Sequence, residues 1–129
     1  MSPLGSHIIL EMYDCPPERL DDVACVLDAL RTAAKRARST LLAENHHRFD
    51  PQGVTAIALL AESHISIHTW PELGYAAADV FTCGAHTDPQ AACEVLVAAL
   101  GAGRHEQRNM PRGVLPPVRP VRLPRAAEG

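Results

Sequence analysis

Three runs, Val54–Leu60, Ile65–Thr69 and Ala76–Phe81, are apolar or alternate apolar with polar residues, and only short links containing Pro71 and Gly74 join them. This spacing restricts the fold more than any other feature of the chain. A parallel return needs a crossover of a dozen or more residues, so strands joined this tightly are expected to be antiparallel neighbours. Further strands are expected over Ser6–Met12, around His7-Ile8-Ile9-Leu10, over Ser39–Glu44, and as a polar edge over Arg104–Asn109. Between Glu44 and Val54 the residues Asn45–Gly53 read as a polar, turn-rich link.

Two helices complete the pattern. From Pro17 to Ala37 the residues Leu20, Val23, Leu27, Leu30 and Ala34 recur at helical spacing, and acidic residues come early and basic ones late, as the helix dipole favours. Such a stripe covers a sheet and carries no chemistry. Asp88-Pro89 supplies an N-cap and a proline at the first helical position, Ala92, Val95, Leu96, Ala99 and Leu100 form the stripe, and Gly101 and Gly103 end it. The expected fold is α+β, a two-layer sandwich with an antiparallel sheet and two helices on one face. A chain of 129 residues, 47% apolar, supports one core and not two. The other sheet face is expected to be covered by a second copy, because a bare apolar sheet face is an interaction surface.

Composition removes several function classes. The net charge of −3, with both signs interspersed, leaves no basic face over the main body for nucleic acid. Met1-Ser2-Pro3-Leu4-Gly5 lacks a basic segment followed by an apolar run, and no stretch approaches the ~20 apolar residues of a membrane span. A cytoplasmic protein without a membrane partner is expected. Cys15, Cys25, Cys83 and Cys93 form no C-x-x-C pair, which argues against a disulfide framework or a zinc finger. His46 and His47 point to opposite faces of an extended segment, and His64 and His68 share one face with Ser66 on a strand, so no metal is expected. Residues 114–129, rich in proline with Arg119, Arg122 and Arg125, are expected to be an extended or disordered tail.

Glu62-Ser63 is the one bond with unusual potential. A serine hydroxyl can attack the carbonyl on its own N-terminal side through a five-membered ring and turn the amide into an ester. Loss of the Cα proton then expels the Glu62 carboxylate and leaves dehydroalanine, which tautomerises and hydrolyses to a pyruvoyl group and ammonia. Most Xaa-Ser bonds never react, since the amide is resonance-stabilised. Attack needs a twisted peptide, donors aimed at the developing oxyanion and a route for the proton. Delivery of the bond at the end of the Val54–Leu60 strand holds it still.

Ala61-Glu62-Ser63-His64-Ile65-Ser66-Ile67-His68-Thr69-Trp70-Pro71-Glu72, with Tyr75-Ala76-Ala77 and Asp79-Val80-Phe81-Thr82-Cys83-Gly84, closely resembles the short prokaryotic form of S-adenosylmethionine decarboxylase. The resemblance covers roughly residues 4–113. It implies a self-cleaving zymogen cut between Glu62 and Ser63 into a β chain, 1–62, and an α chain starting at 63, with a pyruvoyl cofactor derived from Ser63. His68 would move a proton during self-processing. Cys83 would return a proton to the substrate α-carbon after carbon dioxide leaves a Schiff base. Decarboxylated S-adenosylmethionine, the aminopropyl donor of spermidine and other polyamines, would be the product. Phe49 would stack on adenine and Glu72 would accept ribose hydroxyls, while the sulfonium would favour the faces of Phe49 and Trp70. The family forms homodimers of cleaved protomers with active sites at subunit boundaries. It more often has arginine where Ser6 stands and glycine where Asp14 stands.

The residues themselves also admit plainer readings. Phe49, Trp70 and Glu72 could be core or cleft wall, and Cys83 a buried thiol. A pyruvoyl decarboxylase for arginine or ornithine would use the same Ser63, His68 and Cys83. An uncleaved binding or regulatory protein, or a histidine-based metal protein, is the remaining alternative.

Overall fold

Alternate residues of the four central strands are buried, and this alternation decides which face of the sheet carries the core. The computed structural model describes residues 3–115. Its strands are β1 (Gly5–Tyr13), β2 (Leu41–Arg48), β3 (Val54–Leu60), β4 (Ser63–Trp70), β5 (Tyr75–Cys83) and β6 (Arg104–Arg112), and its helices are α1 (Pro17–Leu20), α2 (Val23–Arg36) and α3 (Pro89–Ala99). They form one antiparallel sheet in the order β2-β3-β4-β5-β1-β6. Ile8 and Leu10 of β1, Ile65 and Ile67 of β4, and Val80 of β5 face α2 and α3, which contribute Val26, Leu30 and Leu96. Ala56, Ala58, Ala76 and Ala78 are also fully buried there; small side chains on the strands let the helices sit close. Burial of each large aliphatic side chain in this layer stabilises the fold by about 1.5–3 kcal/mol. The expected α+β sandwich, with its antiparallel sheet and two main helices on one face, is therefore the observed one.

Three boundaries differ from expectation, each for a local reason. The long helix expected from Pro17 is broken between Leu20 and Val23, because Asp21 and Asp22 find better partners than a continued helix offers. Asp22 accepts the Cys25 N–H at 3.2 Å and caps α2, while Asp21 accepts the Gly53 N–H at 2.9 Å and Arg48 at 2.8 Å. Strand β2 continues past Glu44 to Arg48, since pairing with β3 satisfies its backbone and an edge strand tolerates exposed polar side chains. At the opposite edge β6 runs on to Arg112 through Pro111, a residue that sheet edges accept.

Asp14, where the resembled family favours glycine, has φ +56°, a left-handed conformation that aspartate enters more readily than most residues. The tail expected over 114–129 lies outside the described residues from 116 onward. Among the described residues no helix is long and apolar enough to cross a membrane.

Candidate active site

Strand β3 ends at Leu60 and β4 begins at Ser63, with Leu60 and Ser63 paired, so Ala61 and Glu62 alone make the turn. Hairpins this tight require left-handed backbone, which glycine or asparagine usually supplies. Here Glu62 supplies it, at φ +61°, a conformation that costs a side-chain-bearing residue roughly 1–2 kcal/mol. The strained residue is the one whose carbonyl forms the Glu62-Ser63 bond. Ser63 is buried, 7% exposed, while Ala61 and Glu62 are exposed.

Cys83 closes the site from the neighbouring strand. Its backbone N–H donates to Ser63 Oγ at 3.1 Å, and its thiol donates to the Glu62 carbonyl oxygen at 3.0 Å. One residue thus contacts both the Ser63 hydroxyl and the Glu62 carbonyl. Gly84 follows with φ +92°, a backbone conformation that favours glycine. Burial pushes the Cys15, Cys25 and Cys93 thiols up, Cys93 to about 12.

The remaining predicted residues lie at the far end of β4. His68 is five positions from Ser63 on the same strand, a separation of roughly 16 Å at the usual rise per residue. Its Nδ1 lies 3.1 Å from Thr55 Oγ1, and its ring is 6.4 Å from that of Trp70, which is 5.3 Å from Tyr75. Phe49, in the loop before β3, has its N–H on Gly53 O at 2.8 Å and its ring edge-on to His47 at 4.7 Å. Glu72 sits in a single 3-10 turn, Pro71–Leu73, directly after Trp70. Phe49 and Trp70 are 46% and 39% exposed, so neither is a core residue of one chain. The chain therefore brings Glu62, Ser63 and Cys83 together and keeps His68, Trp70, Phe49 and Glu72 apart from them.

Thr55 is a neighbour that pattern reading overlooked. The signal was present: a two-residue turn at Ala61-Glu62 sets Thr55 opposite His68 by counting back along the hairpin. Tyr75 is another; its hydroxyl donates to Glu11 Oε2 at 2.7 Å, and burial with that carboxylate pushes the phenol well above its ordinary range.

Fold and site together define a class: small α+β domains in which a strained Xaa-Ser bond at the head of a strand is flanked by hydrogen-bond donors. Comparison with known proteins makes this specific. The family described as S-adenosylmethionine decarboxylase matches residues 6–113. The chain is 59% identical to an S-adenosylmethionine decarboxylase proenzyme of Parasynechococcus marenigrum (strain WH8102), over 94% of this chain and 98% of that one. It is 47% identical to one of Methanococcus maripaludis, over 89% and 94%. A crystal structure of the adenosylmethionine decarboxylase from Aquifex aeolicus superposes with a TM-score of 0.83 at 34% identity, covering 94% of this chain and all of that one. The chain belongs to the S-adenosylmethionine decarboxylase family. Its activity is that of an adenosylmethionine decarboxylase, made as a self-cleaving, pyruvoyl-dependent proenzyme of polyamine biosynthesis.

Proposed function

We propose that Ser63 is the residue that becomes the pyruvoyl group, and that the chain divides into segments 1–62 and 63–129. The observation that carries this is the double grip of Cys83, N–H on Ser63 Oγ and thiol on Glu62 O, around a residue at φ +61°. The residues fit the requirement for building the group. Left-handed strain raises the ground state, and the thiol is aimed at the oxygen on which negative charge develops as Ser63 attacks. The serine oxygen forms the new C–O bond, the C–N bond breaks, and the hydroxyl proton passes to the amine. Once formed, the pyruvoyl ketone supplies an electron sink for decarboxylation of an α-amino acid. Cys83, already at the reacting end of the strand, is the group that returns a proton to the substrate carbon.

His68 serves a second copy of the chain. It lies too far along β4 to reach its own Ser63. Two sheets stacked face to face about a two-fold axis near residues 65 and 66 would set residue 63 of one copy over residue 68 of the other, at the ~10 Å spacing of packed sheets. The open sheet face supports that reading, since Ile57 and Leu59 stand on it 43% and 52% exposed. In such a homodimer Phe49, Trp70 and Glu72 are contributed near the partner's Ser63, where the aromatic faces hold adenine and sulfonium and the carboxylate holds the ribose of S-adenosylmethionine. The enzyme works in the cytoplasm, with no nucleic acid or membrane as partner.

Denaturing mass spectrometry of fresh protein tests this. Two chains divided at Glu62-Ser63 are expected, the second carrying a group that borohydride and an amine trap on residue 63. Ser63→Ala is expected to remain one full-length chain without activity. Cleavage of that variant would refute the site.

A further inference from the structure

Thr82 is 1% exposed, and its hydroxyl oxygen is buried with no hydrogen-bond partner among the described residues. Buried hydroxyls are nearly always paired, so an unpaired one calls for a reason. Its position supplies one. On β4 and β5, His64 stands opposite Phe81, and one step along that register sets Ser63 beside Thr82. Both side chains are buried on the helix-facing side of the sheet. Directly opposed residues of antiparallel strands have Cβ atoms about 4.5–5.5 Å apart, so rotation about χ1 can bring two hydroxyls into contact. Ser63 Oγ is moreover 3.1 Å from the nitrogen of the Thr82-Cys83 peptide, the unit to which Thr82 itself belongs.

The hydrogen-bond inventory is complementary. Ser63 Oγ accepts from Cys83 N–H, but among the described residues its own O–H finds no acceptor. Thr82 Oγ1 has acceptor capacity and finds no donor. The other buried hydroxyl without a partner, Ser39, lies in the link before β2 and has no such register with Ser63.

We propose that Thr82 is a positioning residue for self-cleavage: its hydroxyl accepts the Ser63 O–H and so turns a lone pair of Ser63 Oγ toward the Glu62 carbonyl. Thr82 acts from the helix side of the sheet, while the Cys83 thiol grips the carbonyl oxygen. The bonds made and broken are those of the acyl shift alone. Oγ–C forms, C–N breaks, the serine proton ends on the amine, and Thr82 begins and ends neutral. This inference rests on the assignment of Ser63 as the attacking residue.

The test is a time course of cleavage, by intact mass, of freshly synthesised chain carrying Thr82→Val, Thr82→Ser or Ser63→Ala, with thermal midpoints of the uncut precursors. Thr82→Val removes the hydroxyl and keeps the shape, and is expected to slow cleavage about tenfold, the size of effect one neutral hydrogen bond gives. Thr82→Ser, which keeps the hydroxyl, is expected to restore most of the rate. The valine precursor is expected to melt close to the parent, because the loss of one neutral hydrogen bond from Ser63 is offset by removal of a buried O–H donor that has no acceptor. Cleavage of Thr82→Val at the parental rate would overturn the proposal, as would slow cleavage accompanied by a lowered midpoint or by equal slowing in Thr82→Ser. Cleavage of Ser63→Ala would instead remove the premise. Silence of Ser63→Ala with normal Thr82→Val removes the Thr82 role alone.

Discussion

Cys83 contacts two atoms of the proposed reaction, and the two contacts come from different parts of the residue. The backbone N–H on Ser63 Oγ survives any substitution except proline, whereas the thiol on Glu62 O does not. Cys83→Ala should therefore cleave about tenfold or more slowly, because one donor to the developing oxyanion is gone and the other contact remains. Cys83→Ser keeps an O–H with a shorter reach and should fall between alanine and parent. Intact-mass time courses measure both, and parental speed in the alanine variant would show that the thiol does not stabilise the oxyanion. At this scale the sequence was most informative. The potential of the Glu62-Ser63 bond follows from adjacency, whereas Cys83, twenty residues on, entered only through the family resemblance, and its contacts with Ser63 and Glu62 are set by strand register. The cross-strand neighbours of His68 and Ser63, Thr55 and Thr82, were not legible from motifs, since they depend on register.

The loop carrying Phe49 is tied down by one carboxylate from a different element. Asp21, in the break between α1 and α2, bonds the Gly53 N–H and the Arg48 guanidinium, and that pair of contacts, the backbone one first, holds its carboxyl below the usual range. A folded-state value below the unfolded value of about 3.9 means the contribution is fully present above that pH and disappears as pH falls through the folded value. In the uncleaved Ser63→Ala background, Asp21→Ala should lower the melting midpoint by about 3 °C at neutral pH, a small fraction of the stability of a domain this size. Parent and variant should converge on acidification below about pH 4. Thermal melts across pH would check this, and a pH-independent gap would mean that Asp21 acts by shape and not by charge. The same residue explains why the helix boundary was misjudged. Periodicity placed Leu20 and Val23 on one stripe, but periodicity does not register that an aspartate between them has a distant amide and guanidinium to bind. The tight links, by contrast, left antiparallel pairing as the sole arrangement for β3, β4 and β5, whereas the place of β1 between β5 and β6 does not follow from them.

For the molecule as a whole, the decisive geometry is that one chain places Ser63 and Cys83 at one end of β4, and His68, Trp70 and the Phe49 loop at the other. In the proposed homodimer a single copy would carry two half-sites, and a face-to-face pair two complete ones. Mixing chains distinguishes this from a monomer that rearranges. Ser63→Ala cannot cleave but retains His68; His68→Ala retains Ser63 but lacks the imidazole. Alone, each should remain full length or nearly so. In a heterodimer, one of the two boundaries joins the intact Ser63 of the His68→Ala chain to the intact His68 of its partner. Co-expression of the two with different tags should therefore release a fragment beginning at residue 63 from the His68→Ala chain only. Ile57→Glu placed in both chains should abolish that rescue by setting a charge in the apolar contact, with sedimentation reporting loss of the dimer. If the His68→Ala chain stays intact in a verified heterodimer, His68 acts within its own chain. β4 would then have to bend far enough to bring its two ends together, which a strand paired along both edges resists.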